Sequence, residues 1–236
     1  NTKSKNTFIS NIRTADEYTL SDVHYFSHIP VPLLLISMLW SVTVGVLLDK
    51  ELEENCFGNR LNLNNEGRFL PENISAFKYY LPQYNQWRDK AINISLEHLE
   101  KNNNILLIAL DIKQCFYKLP VNWKKIDGEI RKKVSEEGLQ KKYLVVNKLL
   151  RKIHEQYYER TKEFLVSTHQ KKIQGIPIGL PSSGIIANYE LSDLDQKIAK
   201  NLRPIYYGRY VDDFLIVLNI ASTDPGKFQE KDVVKK

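Results

Sequence analysis

Two adjacent carboxylates, Asp212 and Asp213, interrupt a long run of strand formers. Tyr206-Tyr207-Gly208-Arg209-Tyr210 precedes them, and Phe214-Leu215-Ile216-Val217-Leu218 follows after Val211 and the two acids. Aromatic and β-branched side chains on both sides of a two-residue polar tip predict a tight β-hairpin with the carboxylates at its turn. Two acids held together repel, so the arrangement is stable when a cation sits between them or one stays protonated. A divalent metal would satisfy this. Asp is also common in ordinary turns, because its side chain bonds to the local backbone, and the stretch alone leaves both readings open.

A second segment bears on the choice. Ile105-Leu106-Leu107-Ile108-Ala109-Leu110 is a continuous apolar run that predicts a fully buried strand, and it ends on Asp111. If that strand and the hairpin are neighbours in one sheet, Asp111, Asp212 and Asp213 converge. Three such carboxylates can hold two magnesium ions about 4 Å apart, a spacing that activates an attacking hydroxyl and stabilises a leaving pyrophosphate.

The chain has 236 residues, 42% hydrophobic and 11% aromatic, enough for one good core or two closely joined subdomains. Cys56 and Cys115 are the only cysteines and lack metal-ligand spacing, which points to a reducing compartment and no zinc site. Of the histidines His24, His28, His98, His154 and His169, only His24 and His28 have a ligand-like spacing. With no acid or cysteine clustered beside them, that pair reads as structural.

The net charge of +6 is unevenly placed. Residues 118–172 hold 15 Lys or Arg against 7 Asp or Glu, whereas the rest of the chain is slightly acidic. Arg131-Lys132-Lys133, Lys141-Lys142, Arg151-Lys152 and Lys171-Lys172 are suited to neutralising phosphates along a nucleic-acid path. They also suit a solvated helix face, since Ile126, Ile130 and Val134, then Leu149, Ile153 and Tyr157, put apolar residues on the other side.

Residues 29–48 carry no charge and are about long enough to cross a bilayer. Pro30 and Pro32 open the stretch, Ser37, Ser41 and Thr43 interrupt it, and no Lys or Arg lies between Arg13 and Lys50. A buried helix over 29–56 is the better reading, and no membrane association is expected. The polar, charged opening gives no signal peptide. Residues 1–28 read as peripheral, and 57–104 as loops with short helices around Pro71 and Pro82. Helix is predicted over about 121–160, and a short strand near 164–167. Residues 174–184 read as a loop punctuated by Gly and Pro. A helix then carries Ala187, Leu191, Leu194, Ile198 and Leu202, capped near Ser182 or Ser183.

Asp111-Ile112-Lys113-Gln114-Cys115-Phe116, then Gln174-Gly175-Ile176-Pro177-Ile178-Gly179-Leu180-Pro181-Ser182-Ser183, then Tyr210-Val211-Asp212-Asp213, resemble in order and spacing the three palm motifs of reverse transcriptases. The details are most similar to bacterial defence-associated and abortive-infection enzymes. The resemblance spans roughly 20–220. It implies an α+β fold of right-hand fingers and palm, with an antiparallel palm sheet packed on helices. It places the N-terminal segment and fingers in 1–104 and the palm in 105–220, with a basic helical insertion at 118–172. Residues 221–236 become a charged tail leading to a thumb absent from this chain, so a longer protein is expected.

For the site, the resemblance makes Asp111, Asp212 and Asp213 catalytic and metal-binding, with the Ile112 carbonyl as a further ligand to two Mg2+ ions that Mn2+ could replace. Phe116 takes the place of a ring under the sugar that excludes a 2′-hydroxyl, and Gly175 and Gly179 those of glycines that let backbone approach the nucleotide. Ile178 faces the nucleotide and template base, and Ser183 and Asn188 shape that loop and its helix. Arg60 resembles a fingers arginine near nucleotide or template; a salt bridge to Glu51, Glu53 or Glu54 is the alternative. Arg131, Lys132, Lys133, Lys171 and Lys172 would contact nucleic acid. The implied partners are an RNA template or associated non-coding RNA, the DNA product, deoxynucleoside triphosphates, and a partner subunit or oligomer, in a bacterial cytoplasm serving antiphage defence.

Two departures from the family stand out. Ile178 replaces a common Gln, and Pro32-Leu33-Leu34-Leu35-Ile36-Ser37 lacks the cations relatives carry near there. Three functions follow: DNA synthesis, template-directed or protein-guided; RNA synthesis on a similar palm, which Phe116 disfavours; and a catalytically silent scaffold, which the three carboxylates oppose.

Overall fold

A computed structural model describes residues 28–69, 75–168 and 174–220. The uncharged stretch forms not one helix but two, α1 (Val31–Val42) and α2 (Val44–Asp49). Thr43 separates them at φ −114° and ψ −81°, its hydroxyl donating back to the Leu39 carbonyl at 2.6 Å, a bond that bends helices. Only one face is buried: Ser37, Trp40, Ser41, Val44 and Leu48 lie inside, while Val31 and Leu35 are exposed. The buried helix expected over 29–56 is therefore half surface. No helix among the described residues is long and apolar enough to cross a membrane.

Trp40, Val44 and Leu48 enter the main core with Ile126, Ile130, Leu150, Ile176, Ile185 and Ile186. Burying each aliphatic or aromatic side chain of this size stabilises the fold by about 1.5–3 kcal/mol relative to exposure. The Trp40 indole N–H donates to Asn147 Oδ1 at 2.8 Å, and Asn147 Nδ2 donates to Asp127 at 2.9 Å. These bonds tie α1 to α6 (Glu137–Thr168) and to α5 (Trp123–Lys133), so the buried polar groups stay satisfied.

α3 (Tyr80–Glu100) runs for 21 residues where short helices were expected. Pro82 falls in its first turn, where the missing N–H costs nothing; Pro71 lies outside the described residues. α6 continues to Thr168, so the strand expected near 164–167 is helix. Its buried stripe is Asn147, Leu150 and His154, whereas Leu149 is 42% exposed. Of the expected stripe, Ile153 packs against the main core and Tyr157 is partly buried, while Leu149 gives way to Leu150, on the side of the helix that carries the Trp40–Asn147 bond.

One mixed sheet of four strands has the order β1-β3-β4-β2, with helices packed around it in an α+β arrangement. β2 (Asn104–Asp111) pairs antiparallel with β4 (Asp213–Ile220), and β4 with β3 (Tyr206–Tyr210). β1 (Cys56–Phe57) pairs parallel with β3, a departure from a wholly antiparallel sheet. Ala91 and Ile94 of α3 cover Ile105, Tyr206, Leu215 and Val217 on one face. Ile198 and Leu202 of α7 (Pro181–Leu202) cover Ile108, Tyr207, Phe214 and Ile216 on the other. β1 and α3 precede residue 105 yet are built into this layer. β2 is an edge strand with Leu107 45% and Leu110 51% exposed, so its unbroken apolar run does not mark the full burial expected of it.

Candidate active site

β2 and β4 bring the acidic segments together. Asp111 is directly opposite Asp213, which in turn is opposite Tyr210, and cross-strand partners share a sheet face. The hairpin tip is Val211-Asp212, with Asp213 opening β4, so one acid sits in the turn and the other in the strand. The Ile112 N–H donates to the Asp212 carbonyl at 3.1 Å, locking the end of β2 to the turn. The Ile112 carbonyl accepts from Cys115 N at 3.1 Å, which begins α4 (Cys115–Lys118).

The turn requires a positive φ at its first central position, and Val211 supplies it at φ 59°. A β-branched residue in that region is strained, so surrounding bonds must hold it. Val211 N donates to the Phe57 carbonyl at 3.2 Å, and Arg209 Nη1 donates to the Val211 carbonyl at 2.8 Å. Gly58 makes room: a Cβ there would stand 2.9 Å from Val211 Cγ2 and 3.1 Å from the Tyr210 ring. Arg209 is fully buried and also bonds Asp195, Asn188 and the Cys56 sulfur.

Electrostatically the acids strain one another. Burial first, then Asp213 and Asp111, pushes the Asp212 carboxyl above the usual carboxylate range, with Arg209 partly opposing. Burial and then Asp111 raise Asp213. Hard oxygen donors whose charges repel are the donor set a divalent cation relieves, and in that respect the three residues fit the metal. They do not close round one point: among the described residues no three His, Cys, Asp or Glu side chains form a ready metal-holding group.

A cleft of about 270 Å³ is lined by Asn59, Phe77, Phe116, Ile178, Gly179, Leu180, Pro181, Ser183 and Gly184. Phe116, Ile178 and Gly179 line it together, and Phe116 also packs against the main core. Gly175 plays a different part. It is buried, and a Cβ there would lie 2.4 Å from the Tyr117 carbonyl oxygen and 2.5 Å from that of Phe116. Its close approach is to the 116–117 backbone, not to the cleft, and it permits the 2.6 Å bond from Ile176 N to the Phe116 carbonyl. The expected serine cap is also absent. Leu180 is the N-cap residue of α7, while Ser183 Oγ donates to the Pro177 carbonyl and Ser182 Oγ accepts from Ser37 at 2.8 Å. Asn188 Nδ2 fastens α7 to the Gly58 carbonyl at 2.9 Å.

Arg60 has all five N–H donors engaged internally, on the Asp49 carboxylate and the carbonyls of Asp49, Glu53 and Cys56. Neither the nucleotide role nor a pairing with the acidic side chains at 51–54 is what the structure holds; the partner is Asp49, at 2.9 Å. Lys133 pairs with Glu51 and Glu129, and Lys132 lies 4.0 Å from Glu129. Arg131 is exposed. Lys171 and Lys172 lie outside the described residues.

Sequence reasoning did not single out Arg209, Asp195, Asn59 or Phe77. A cation inside a strand, three residues before Asp212, was a signal for Arg209; the others had none.

Over residues 57–231 the chain matches the family described as reverse transcriptase (RNA-dependent DNA polymerase). With most of its length matched, this chain belongs to the reverse transcriptase family, whose members synthesise DNA on RNA and generally use divalent metals. No curated protein matches it.

Proposed function

We propose that this chain carries the nucleotidyl-transfer centre of a DNA polymerase, on a palm to which β1 and α3 contribute along with residues 105–220. The observation that carries this reading is the register Asp111↔Asp213 with Asp212 bonded through its carbonyl to Ile112 N. It sets Asp111 and Asp213 opposite one another, with Asp212 in the adjoining turn. Asp111 and Asp212 would be the principal ligands of two Mg2+ ions, with Asp213 and the Ile112 carbonyl assisting. Bound there, divalent ions lower the pKa of a primer 3′-hydroxyl and offset triphosphate charge.

The chain's own residues do the remaining work. Phe116 walls the cleft where a ribose 2′-hydroxyl would project, and so favours deoxynucleotides. Ile178 offers shape but no hydrogen bond to the base. None of the nine lining residues is charged, and Arg60 is committed elsewhere, so base selection rests on fit more than on polar contacts. Restricted DNA synthesis, on a dedicated RNA or guided by the protein itself, is the activity this lining suits; a setting in a bacterial cytoplasm and in antiphage defence rests on the resemblance of the three motifs alone. The same uncharged lining favours a second reading, a scaffold that keeps the fold without catalysis.

An incorporation assay with labelled deoxynucleotides or ribonucleotides, with and without added RNA, tests the proposal. Deoxynucleotide incorporation supports it, ribonucleotide incorporation indicates an RNA polymerase, and neither leaves the scaffold. Sequencing products made on several unrelated RNA templates tests restriction; faithful copies of every template would rule it out.

A further inference from the structure

The turn end of the sheet carries a feature the nucleotidyl-transfer reading does not use. Tyr79 is 64%, Tyr80 61% and Tyr84 38% exposed at the N-terminal end of α3. The rings fall in two groups one helical turn apart, Tyr79 with Tyr80, and Tyr84 with Trp87 and Tyr210. Tyr79 and Tyr80 are 5.0 Å apart by centroid, Tyr84 is 5.4 Å from both Trp87 and Tyr210, and Trp87 is 5.7 Å from Tyr210. Trp87 anchors the group by donating its indole N–H to the Gly208 carbonyl at 3.0 Å. Tyr210, Asp213 and Asp111 are successive cross-strand partners, so the rings and two of the carboxylates share one sheet face.

Charge separates this patch from an ordinary apolar contact. The first turn of α3 contains no acid, Lys78 and Lys90 are exposed, and the Arg88 guanidinium, paired with Asp89 at 2.8 Å, lies 5.8 Å from the Tyr84 ring centroid. Further along the same helix the exposed hydrophobics are aliphatic, Ile92, Leu96 and Leu99, with Asn93, Glu97 and Glu100 exposed among them, so the aromatic surface is confined to the end near the turn. Aromatic faces with cations beside them are what unpaired bases on a phosphate backbone require, because every base offers a π-face and every link a negative charge.

We infer that Tyr79, Tyr80 and Tyr84 form a stacking platform for unpaired nucleotides of the strand that reaches Asp111 and Asp213; this rests on the function proposed above. The strand could be primer DNA or template RNA, which share this chemistry.

The test uses the full chain and fluorescein-labelled oligothymidylate and oligouridylate of about twenty nucleotides, longer than one stacking groove spans, beside abasic strands of equal length. Fluorescence anisotropy should give tighter binding to the base-containing strands. Tyr80→Ala with Tyr84→Ala should weaken that binding by about tenfold and leave abasic binding unchanged, while the paired Phe variants retain it. A second arm places 5-iodouracil either near the 3′ end of a DNA primer or in a 5′ RNA overhang. Photo-crosslinks mapped by mass spectrometry to 79–84 support the platform, and the arm that crosslinks names the strand. Equal binding of abasic strands, unaffected Ala variants, or crosslinks confined to other segments would each overturn it. Nucleotide incorporation with base-indifferent binding removes the platform and spares the proposed function; base-dependent binding without incorporation does the reverse.

Discussion

Arg209 and Asp195 form an ion pair behind the acidic turn, Nε to Oδ1 and Nη2 to Oδ2 both at 2.7 Å, with the arginine side chain fully withdrawn from solvent. The same guanidinium holds the Val211 carbonyl, so a paired charge inside the molecule fixes the strained residue next to Asp212. A buried pair of this kind adds little net stability, but removing one partner leaves an uncompensated charge. Its consequence here is the geometry of the turn.

Arg209→Lys keeps the charge and loses the planar fork. Incorporation should fall by roughly tenfold, mainly in kcat, with a smaller stability loss than Arg209→Ala, for which about 3–5 kcal/mol is expected. Steady-state kinetics and chemical denaturation check the two effects; full activity in the lysine variant would show that the turn holds without the fork.

Replacing Asp212 and Asp213 together by Ala should abolish nucleotide incorporation. The fold should persist with a stability change within about 0.5 kcal/mol, because like charges opposite one another across strands are destabilising. Circular dichroism and an extension assay decide the matter, and undiminished synthesis would remove both residues from the chemistry.

Phe116→Ala opens the cleft where the proposed function puts the sugar. Ribonucleotide use should rise relative to deoxynucleotide use, at a stability cost of about 2 kcal/mol, below the 3–5 typical of a fully buried Phe, since Phe116 is only partly buried. Competition between the two nucleotide types measures the ratio; no rise would place sugar selection elsewhere.

His154 is fully buried against Trp123, its ring nitrogens without hydrogen-bond partners, and burial pushes its pKa down from 6.5 to about 3. Between those values the unfolded chain binds a proton that the folded chain refuses. Stability contributed by the neutral ring is therefore full above pH 6.5 and declines as pH falls toward about 3, by at most about 1.4 kcal/mol per pH unit. Denaturation midpoints measured across that range should flatten in His154→Leu. An unchanged slope would assign the acid sensitivity to other groups.

Much of the hairpin was legible in the sequence because its signal is local. Strand-forming side chains on both sides of Asp212 and Asp213 left little but a tight turn between them, and the run ending on Asp111 supplied the neighbouring strand. The helix of α7 was equally plain from its apolar spacing. Misreadings came where one residue's partner lies far along the chain. Arg60 offered several acids nearby in sequence, and only folding chose Asp49. On α6 Leu150 and His154 are buried and Leu149 is not, beside a Trp40–Asn147 contact that no helical period contains.

Sequence by itself determined the acidic hairpin, the motif order, the strand ending on Asp111 and the helix of α7, since these depend on side-chain type and spacing within short windows. Tertiary structure alone decided that Asp111 stands opposite Asp213, that Gly175 presses against Phe116 and Tyr117, and that Arg209 clamps Val211 from within. Those relations depend on which distant surfaces meet, and chain connectivity leaves that choice open until apolar burial and the satisfaction of buried polar groups select one arrangement.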